Sequence, residues 1–107
     1  MRKSLILLNI FTVILFITGC DLEYTKYCRV IYDGNGVTGG ERPVDINNYT
    51  PGQIAIVLGN TYTKTGHTFK HWNTHWLDTG ESYNPGDALV IPDHYFIHLY
   101  AIWELNN

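Results

Sequence analysis

Two kinds of hydrophobic pattern divide this chain. From residue 5 to residue 17 apolar residues follow one another almost without a break, interrupted only by Asn9 and Thr12. Downstream of residue 26 the apolar residues come in short runs or alternate with polar ones, and clusters of Gly, Pro, Asn and Asp separate the runs. The second pattern is typical of short β-strands joined by turns, and no window keeps the period of an amphipathic helix. The pattern therefore predicts an N-terminal apolar segment followed by one β-rich unit.

The same pattern places the individual strands. Residues 27–32 alternate, which puts Cys28, Val30 and Tyr32 on one face of a strand. The run 54–58 is continuously apolar and rich in branched residues, which indicates a strand covered on both faces. Further extended segments are predicted at residues 43–46, 67–72, 88–91 and 96–103. The expected fold class is mainly β, an α+β-like small sheet of five or six short strands with little helix.

The apolar N-terminal segment has the layout of a secretory signal. Arg2 and Lys3 precede the apolar run, and Ile17-Thr18-Gly19-Cys20 follows it. The run is shorter than the roughly 20 residues that a membrane-spanning helix needs. The four residues ending at Cys20 resemble the bacterial lipobox, in which the Cys is acylated and becomes the mature N-terminus. An uncleaved anchor and an ordinary secretory signal are the alternatives.

This interpretation divides the chain into four parts. Residues 1–19 are a signal peptide that is removed, and residues 20–26 are the lipidated Cys with a short tether. Residues 27–103 form the β domain, and residues 104–107 a C-terminal tail. A mature chain of 88 residues has room for one domain only.

Charge narrows the possible partners. The chain has a formal charge of −3, and the loss of Arg2 and Lys3 would make it −5. Nucleic acid and anionic lipid surfaces attract clustered Lys and Arg, so neither is expected as an electrostatic partner. The membrane contact is expected through the N-terminal lipid instead.

The cysteines indicate neither a disulfide nor a metal centre. With Cys20 acylated only Cys28 remains, and the strand pattern makes it a small buried residue rather than a reactive or intermolecular thiol. No CxxC pair is present. No cofactor is expected.

Three histidines recur at every fourth residue, His67, His71 and His75. On a helix they would share one face and could hold a metal ion. The β-favouring residues between them predict a strand and a turn, which would splay the three side chains apart. A metal site is therefore not expected.

Residues for hydrolytic catalysis are sparse. Ser82 is the one serine downstream of Cys20, and no His is its neighbour in sequence. Asp78 and Glu81 lie near turn-forming residues and are interpreted as solvated loop residues. The sequence therefore predicts a protein that is not an enzyme.

A series of short motifs runs through the β-rich part in a fixed order. They are Tyr32-Asp33-Gly34-Asn35-Gly36, Pro43-Val44-Asp45, Tyr49, Pro51-Gly52, Val57-Leu58-Gly59-Asn60, Lys64-Thr65-Gly66, Phe69, Trp72-Asn73-Thr74, Ser82-Tyr83, Pro85-Gly86-Asp87 and Leu99-Tyr100-Ala101-Ile102-Trp103. In this order they resemble one Listeria-Bacteroides repeat, also called the internalin B-repeat, over residues 27–103. The resemblance implies a β-grasp-like, ubiquitin-related sheet that bacterial surface proteins use as an extracellular interaction or spacer module, without enzymatic activity.

The chain departs from that family at several points. His67 stands where the family usually has Tyr, His71 where it usually has Gly, and Cys28 where it usually has an aromatic residue. The family's repeats usually occur in tandem, whereas this chain has one copy. A role as a stacked array is therefore not implied.

Aromatic residues are the remaining candidates for binding. Five are predicted to be partly exposed: Tyr24, Tyr62, Trp76, Tyr95 and Tyr100. Exposed aromatic side chains are frequent interface anchors. Trp76, Tyr95 and Tyr100 are the predicted partner-binding residues, and Trp76 leads because polar residues surround it. An exposed sheet edge that captures an extended segment is a second route to binding.

The sequence thus predicts a lipid-anchored, extracytoplasmic protein of the cell envelope, on the cytoplasmic or the outer membrane. Its domain would act as a protein-interaction or adhesion module for an envelope or host protein. A structural spacer without a ligand and a carbohydrate-binding module are the alternatives.

Overall fold

The alternation after residue 26 produces the strand that it predicts. In the computed structural model, which describes residues 25–107, strand β1 (Arg29–Asp33) buries Val30 and Tyr32 and leaves the residues between them partly exposed. Cys28, just before β1, is also buried. The predicted signal peptide, Cys20 and Tyr24 lie outside the described residues.

Seven more strands follow β1. They are β2 (Gly39–Gly40), β3 (Ile54–Ile56), β4 (Tyr62–Thr63), β5 (His67–Asn73), β6 (Ser82–Tyr83), β7 (Ala88–Val90) and β8 (Phe96–Leu105). Five of the eight are three residues or longer, and the other three are two-residue pairings. Residues 25–107 contain no helix. The mainly β fold class predicted from the sequence is confirmed.

One sheet of four strands forms the first layer of the domain. Its strand order is β1-β8-β5-β6, with β1 and β8 parallel and the other neighbours antiparallel. A parallel pair needs a long crossover, and residues 34–95 supply it. Since β1 and β8 run in the same direction, Arg29 lies beside Phe96 and both strands begin at one end of the sheet.

Two short strand pairs, β3–β7 and β2–β4, form the second layer. Ala55 and Leu89 point from β3 and β7 into the core, whereas Ile54, Ile56 and Val90 are exposed. The prediction that this apolar run is covered on both faces was wrong. A run of branched residues favours a strand, but the β3–β7 pair is an outer layer and has only one face to pack.

Trp72 is the largest side chain of the core between the layers and is completely buried. Its ring meets Tyr32 and Phe69 edge-on, with centroid distances of 4.8 and 5.1 Å. Its indole Nε1 donates to the carbonyl of Leu58 at 3.0 Å. Edge-to-face contacts and a satisfied N–H are the arrangement in which a buried Trp stabilises a small core most.

Cys28 belongs to the same core. Its side chain is fully buried, as the sequence predicted, and its thiol is free. Burial raises the pKa of the Cys28 thiol. A buried thiol of this kind is a poor nucleophile, so Cys28 packs rather than reacts.

The C-terminal boundary lies later than the sequence indicated. Strand β8 continues to Leu105, which pairs with His67 of β5, and the N–H of Asn106 donates to the carbonyl of Gly66. Residues 104 and 105, which were predicted to begin a C-terminal tail, therefore belong to the sheet. The pairing partner on β5 explains the difference, because the hydrophobic pattern stops at Trp103 but the backbone ladder does not.

Replacing Tyr32 with Phe should destabilise the domain by about 1–3 kcal/mol, because a buried N–H would lose its acceptor. The Tyr32 hydroxyl accepts from the N–H of Leu58 at 2.9 Å. Urea unfolding at neutral pH would measure the loss. A change below about 0.5 kcal/mol would mean that the hydrogen bond contributes nothing.

Tyr32→Phe should also change how the free energy of unfolding depends on pH in the alkaline range. Burial, reinforced by the Asp45 charge, raises the pKa of Tyr32 in the folded state. The folded protein then keeps this proton where the unfolded chain loses it, so the stabilisation is full below about pH 10 and disappears as the pH rises through the raised pKa. Tyr32→Phe should make the alkaline loss less steep, and the residual slope should come from Tyr49 and Cys28, whose pKa values burial also raises.

Candidate functional site

Exposed aromatic side chains lie at two places along the four-stranded sheet. Tyr27, Tyr95 and Phe96, which we call the proximal aromatic group, lie where β1 and β8 begin. Trp76 lies in the loop of residues 74–80, the distal loop, which contacts Asn35 just beyond the last residue of β1. The two groups are therefore separate surfaces.

Asn73 holds the distal loop from inside. Its side chain is completely buried at the end of β5. The Asn73 Oδ1 accepts from the N–H groups of His75 at 2.8 Å and Gly80 at 2.9 Å. Its Nδ2 lies 2.9 Å from Ser82 Oγ, 3.0 Å from Asp78 Oδ1 and 3.2 Å from the Gly80 carbonyl. One amide therefore ties both ends of the loop together.

A second asparagine fixes the loop from the other side. The Asn35 Nδ2 donates to the carbonyl of Trp76 at 3.0 Å and to that of Ala101 at 2.9 Å. Asn35 can do this because its backbone has a φ of 57°, a left-handed conformation that Asn tolerates better than most residues. The loop backbone at Trp76 is thus attached to β8 through a single side chain.

Gly80 closes the loop because no side chain fits there. A Cβ at this position would collide with the Thr74 hydroxyl and would lie 3.1 Å from Asn73 Oδ1. The Thr74 hydroxyl also accepts from the N–H of Glu81 at 2.9 Å. The loop is a tightly hydrogen-bonded structure rather than a loose connection.

The distal loop presents two large apolar side chains to solvent. Trp76 is 54% exposed and Leu77 is 58% exposed. The His75 ring stacks on the Trp76 ring with a centroid distance of 5.8 Å, and the His75 Nδ1 accepts from the N–H of Leu77 at 3.0 Å. Neither apolar side chain contributes to the core. The surrounding hydrogen bonds nevertheless fix the backbone that carries both.

A shallow cavity of about 400 Å³ lies beside Trp76 and Leu77. Lys64, His67 and Trp103 line its other side. The Trp103 indole N–H is already used, because it donates to the Gly34 carbonyl at 2.9 Å. The cavity therefore combines apolar walls with the Lys64 ammonium, the Asp78 carboxylate and two further polar side chains, and such a mixed lining suits the side chain of a protein partner.

His71 and Ser82 are neighbours in space, although the sequence placed no His near Ser82. The His71 Nε2 lies 2.7 Å from Asp78 Oδ1 and 3.3 Å from Ser82 Oγ. Both contacts use the same ring nitrogen. A Ser-His-Asp relay needs Ser and Asp on different nitrogens of the imidazole, so this arrangement braces the distal loop and does not activate Ser82.

The predicted separation of His67, His71 and His75 agrees with their contacts. The His67 Nδ1 lies 3.0 Å from the Thr65 carbonyl, His71 contacts Asp78, and His75 stacks on Trp76. Within residues 25–107 no three His, Cys, Asp or Glu side chains are grouped closely enough to hold a metal ion.

The proximal aromatic group surrounds the point where the chain enters the domain. Tyr27, Tyr95 and Phe96 are each at least half exposed. The Lys26 Nζ lies 3.1 Å from Asp93 Oδ1 and 4.5 Å from the centroid of the Tyr95 ring. The start of the domain is therefore attached to the turn that precedes β8.

A row of rings continues from this group along β8. Phe96, His98 and Tyr100 alternate on the face of β8 away from the core, with centroid distances of 6.4 and 6.0 Å. The exposure falls along the row, and Tyr100 is half-buried.

The predicted binding residues therefore divide between two places. Trp76 and Tyr95 are exposed as predicted, and Tyr100 is partly exposed. Tyr62 was predicted to be partly exposed, but it is buried in β4 and its hydroxyl donates to the Tyr32 carbonyl at 2.8 Å. Tyr95 and Tyr100 are five residues apart on an extended chain, about 16 Å, so these two do not form one site. Tyr100 precedes Ala101, whose carbonyl accepts from the same Asn35 amide as the carbonyl of Trp76.

The outer face of the β3–β7 pair is another apolar surface that the sequence did not single out. Ile54 pairs with Val90 across the strands, and Ile56 lies two pairs further along, opposite Ala88. All three side chains are at least half exposed. They provide matched controls for substitutions in the distal loop.

Among residues 25–107 no helix has the length and apolar character needed to cross a bilayer.

The chain is similar in sequence to short segments of two longer proteins. No protein-family model and no solved structure matches it. It is 32% identical over 77 residues to a "Putative Gly-rich membrane protein" of Evansella cellulosilytica, a match that covers 72% of this chain and 9% of that protein. It is also 32% identical over 78 residues to a "Putative membrane protein" of the same organism, covering 73% of this chain and 12% of that protein. The chain spans about a tenth of the length of these curated relatives.

Proposed function

We propose that this protein is a non-enzymatic, lipid-anchored protein of the bacterial cell envelope whose β domain binds another protein through the distal loop. The observation that carries the proposal is the exposure of Trp76 and Leu77 on a backbone that the buried side chain of Asn73 holds in place. A buried amide destabilises the fold unless its hydrogen bonds are made. The burial of Asn73 fixes the loop and does not enlarge the apolar core. A rigid exposed Trp with an apolar neighbour is typical of an interface anchor.

Preorganisation is what makes this loop suitable for binding. A flexible loop would lose conformational entropy when a partner orders it, and that loss weakens affinity. In the distal loop, Asn73 and Asn35 bond the backbone before any partner arrives. The apolar surface of Trp76 and Leu77 can then contribute to affinity with little ordering cost.

The N-terminal sequence supports the membrane part of the proposal. Cys20 follows a signal-like apolar run, and two acyl chains or more at this residue would hold the protein stably on a bilayer. Both relatives from Evansella cellulosilytica are named as membrane proteins, which agrees with this placement. The tether from Cys20 to Lys26 can span at most about 20 Å, so the domain stays close to the membrane surface.

The repeat resemblance supports the interaction role. Under this proposal residues 27–103 are one Listeria-Bacteroides repeat, and the mainly β fold agrees with the sheet that the resemblance implies. The matched segment occupies about a tenth of each relative, which suits a module embedded in a long surface chain. A non-enzymatic role fits His71, whose single ring nitrogen serves both Asp78 and Ser82.

Photo-crosslinking in the producing bacterium tests the binding proposal. The full-length protein would carry benzoylphenylalanine in place of Trp76 or, as a control, in place of Ile56, which is 56% exposed and lies on another surface. We expect a saturable crosslinked product from position 76 alone. Leu77→Ala should reduce it by about fivefold or more, since loss of an interface anchor costs more than 1 kcal/mol. Equal products from both positions, or none from position 76, would favour the spacer role.

A further inference from the structure

The proximal aromatic group gathers apolar surface at one end of the domain. Tyr27 precedes β1, and Tyr95 and Phe96 lie at the start of β8, which is parallel to β1. The N–H of Arg29 donates to the Tyr95 carbonyl at 3.0 Å, so the two strand starts are directly joined. Three aromatic residues that are at least half exposed therefore lie along the backbone where both strands begin.

The chain toward Cys20 leaves the domain at this same end. Lys26 is held by Asp93 and by the Tyr95 ring, so the last fixed point before the tether lies within the proximal aromatic group. Six residue steps separate Lys26 from Cys20. That segment can span at most about 20 Å. A lipid at Cys20 therefore keeps these three rings within reach of the bilayer surface.

The chemistry of the group suits the interfacial zone of a bilayer. Tyrosine prefers the headgroup level, because its ring is apolar and its hydroxyl can remain hydrated. Phe96 supplies a purely apolar ring. The Lys26 ammonium is paired with Asp93 at 3.1 Å. The acidic balance of the whole chain also argues for apolar rather than electrostatic contact.

We infer that the proximal aromatic group is a second membrane contact, in which Tyr27, Tyr95 and Phe96 insert into the interface of the bilayer that holds the acyl chains of Cys20. This inference rests on the proposed lipid anchor. The contact gives the domain a defined orientation on the membrane. The Trp76 carbonyl is bonded through Asn35 to β8 at Ala101, five residues or about 16 Å along the strand from Phe96. Trp76 is then presented away from the lipid.

A fluorescent probe at either end of the domain tests this orientation. The lipidated full-length protein would be reconstituted into neutral phosphatidylcholine vesicles that contain lipid with a nitroxide on its acyl chain near the headgroup. An environment-sensitive fluorophore would be attached at Phe96→Cys or, as a matched control, at Leu77→Cys. The two positions are 57% and 58% exposed, and Cys28 is fully buried and should not react. Protein without an introduced Cys controls for stray labelling.

We expect the nitroxide lipid to quench the probe at position 96 at least about twice as strongly as the probe at position 77, since only the former lies at interface depth. Adding Tyr27→Ser and Tyr95→Ser should abolish the difference while the protein still floats with the vesicles. Equal quenching at both positions in floating protein would overturn the second contact but leave the anchor intact. A position-96 probe that is shielded from aqueous iodide but not quenched by nitroxide lipid would mean that a protein covers the group, which also overturns the inference. Protein that carries no acyl chain and does not float would remove both the anchor and the inference.

Discussion

Trp72→Ala should destabilise the domain by about 3–5 kcal/mol. Trp72 is completely buried, packs edge-on against Tyr32 and Phe69, and satisfies the carbonyl of Leu58. Alanine would leave a cavity and an unpaired carbonyl oxygen. A domain of this size is stable by only about 4–13 kcal/mol in total, so a large part of the variant should be unfolded at 37 °C.

Trp76→Ala is the matched control for this substitution. It removes the same side chain from an exposed position, and we expect a change within about 0.5 kcal/mol. Thermal unfolding followed by near-ultraviolet circular dichroism would compare the two variants with the parent protein. Similar losses in both would contradict the core and surface assignments of the two tryptophans.

Asn73→Ala should destabilise the domain by about 2–4 kcal/mol, because buried donors and acceptors would lose their partner. The N–H groups of His75 and Gly80 both depend on the Asn73 Oδ1. The variant should also lose most of the crosslinking from position 76, since the distal loop would no longer have a fixed backbone. The measurements are urea unfolding and the crosslink yield at a temperature where the variant is still folded.

Asn84→Ala provides the control for Asn73. Asn84 is exposed, and its backbone N–H rather than its side chain contacts Asp87. We expect neither stability nor crosslinking to change. If Asn73→Ala behaved in the same way, the buried amide would not be what organises the loop.

Local patterns were sufficient for the strands that pack a full side-chain face. The alternation of residues 27–32 identified the buried set of Cys28, Val30 and Tyr32, because period-2 burial is a property of the strand itself. The segment with Trp72 was also placed correctly as a strand, because it is rich in β-favouring residues. The run at residues 54–58 was placed as a strand, but its number of covering layers depends on the rest of the fold and was predicted wrongly.

The pairing of β2 with β4 could not be predicted from a side-chain pattern, because β2 consists of two glycines. Gly39 and Gly40 read as a loop, and they pair because a backbone without Cβ can approach closely. A Cβ on Gly40 would collide with the Thr61 carbonyl, and the φ of 84° is one that Gly adopts readily. This pairing draws Tyr62 into the core, which explains why its predicted exposure was wrong.

The candidate site could be predicted only in part. Trp76 was identified because an aromatic residue in a polar loop is rarely core. The role of Asn73 in a turn was foreseeable, since Asn side chains often bond nearby backbone groups. The complete burial of Asn73 could not be predicted from the sequence. The contact between His71 and Ser82, which are eleven residues apart, could not be predicted either. These contacts depend on how the loop folds back over the sheet.

The proximal aromatic group and Trp76 lie near different ends of β1. The parallel pairing of β1 and β8 places Tyr27 beside Tyr95 and Phe96, at the end where the tether leaves. Asn35 follows β1 at the other end and holds Trp76. With the proposed anchor at Cys20, the first surface would lie toward lipid and the second would be available to a partner.

The intact mass of the native protein extracted from membranes tests the central claim most directly. The account predicts a mass equal to residues 20–107 plus the acyl groups on Cys20, with the extra mass assigned to that residue by fragmentation. A mass that retains Met1, or an unmodified Cys20, would contradict it.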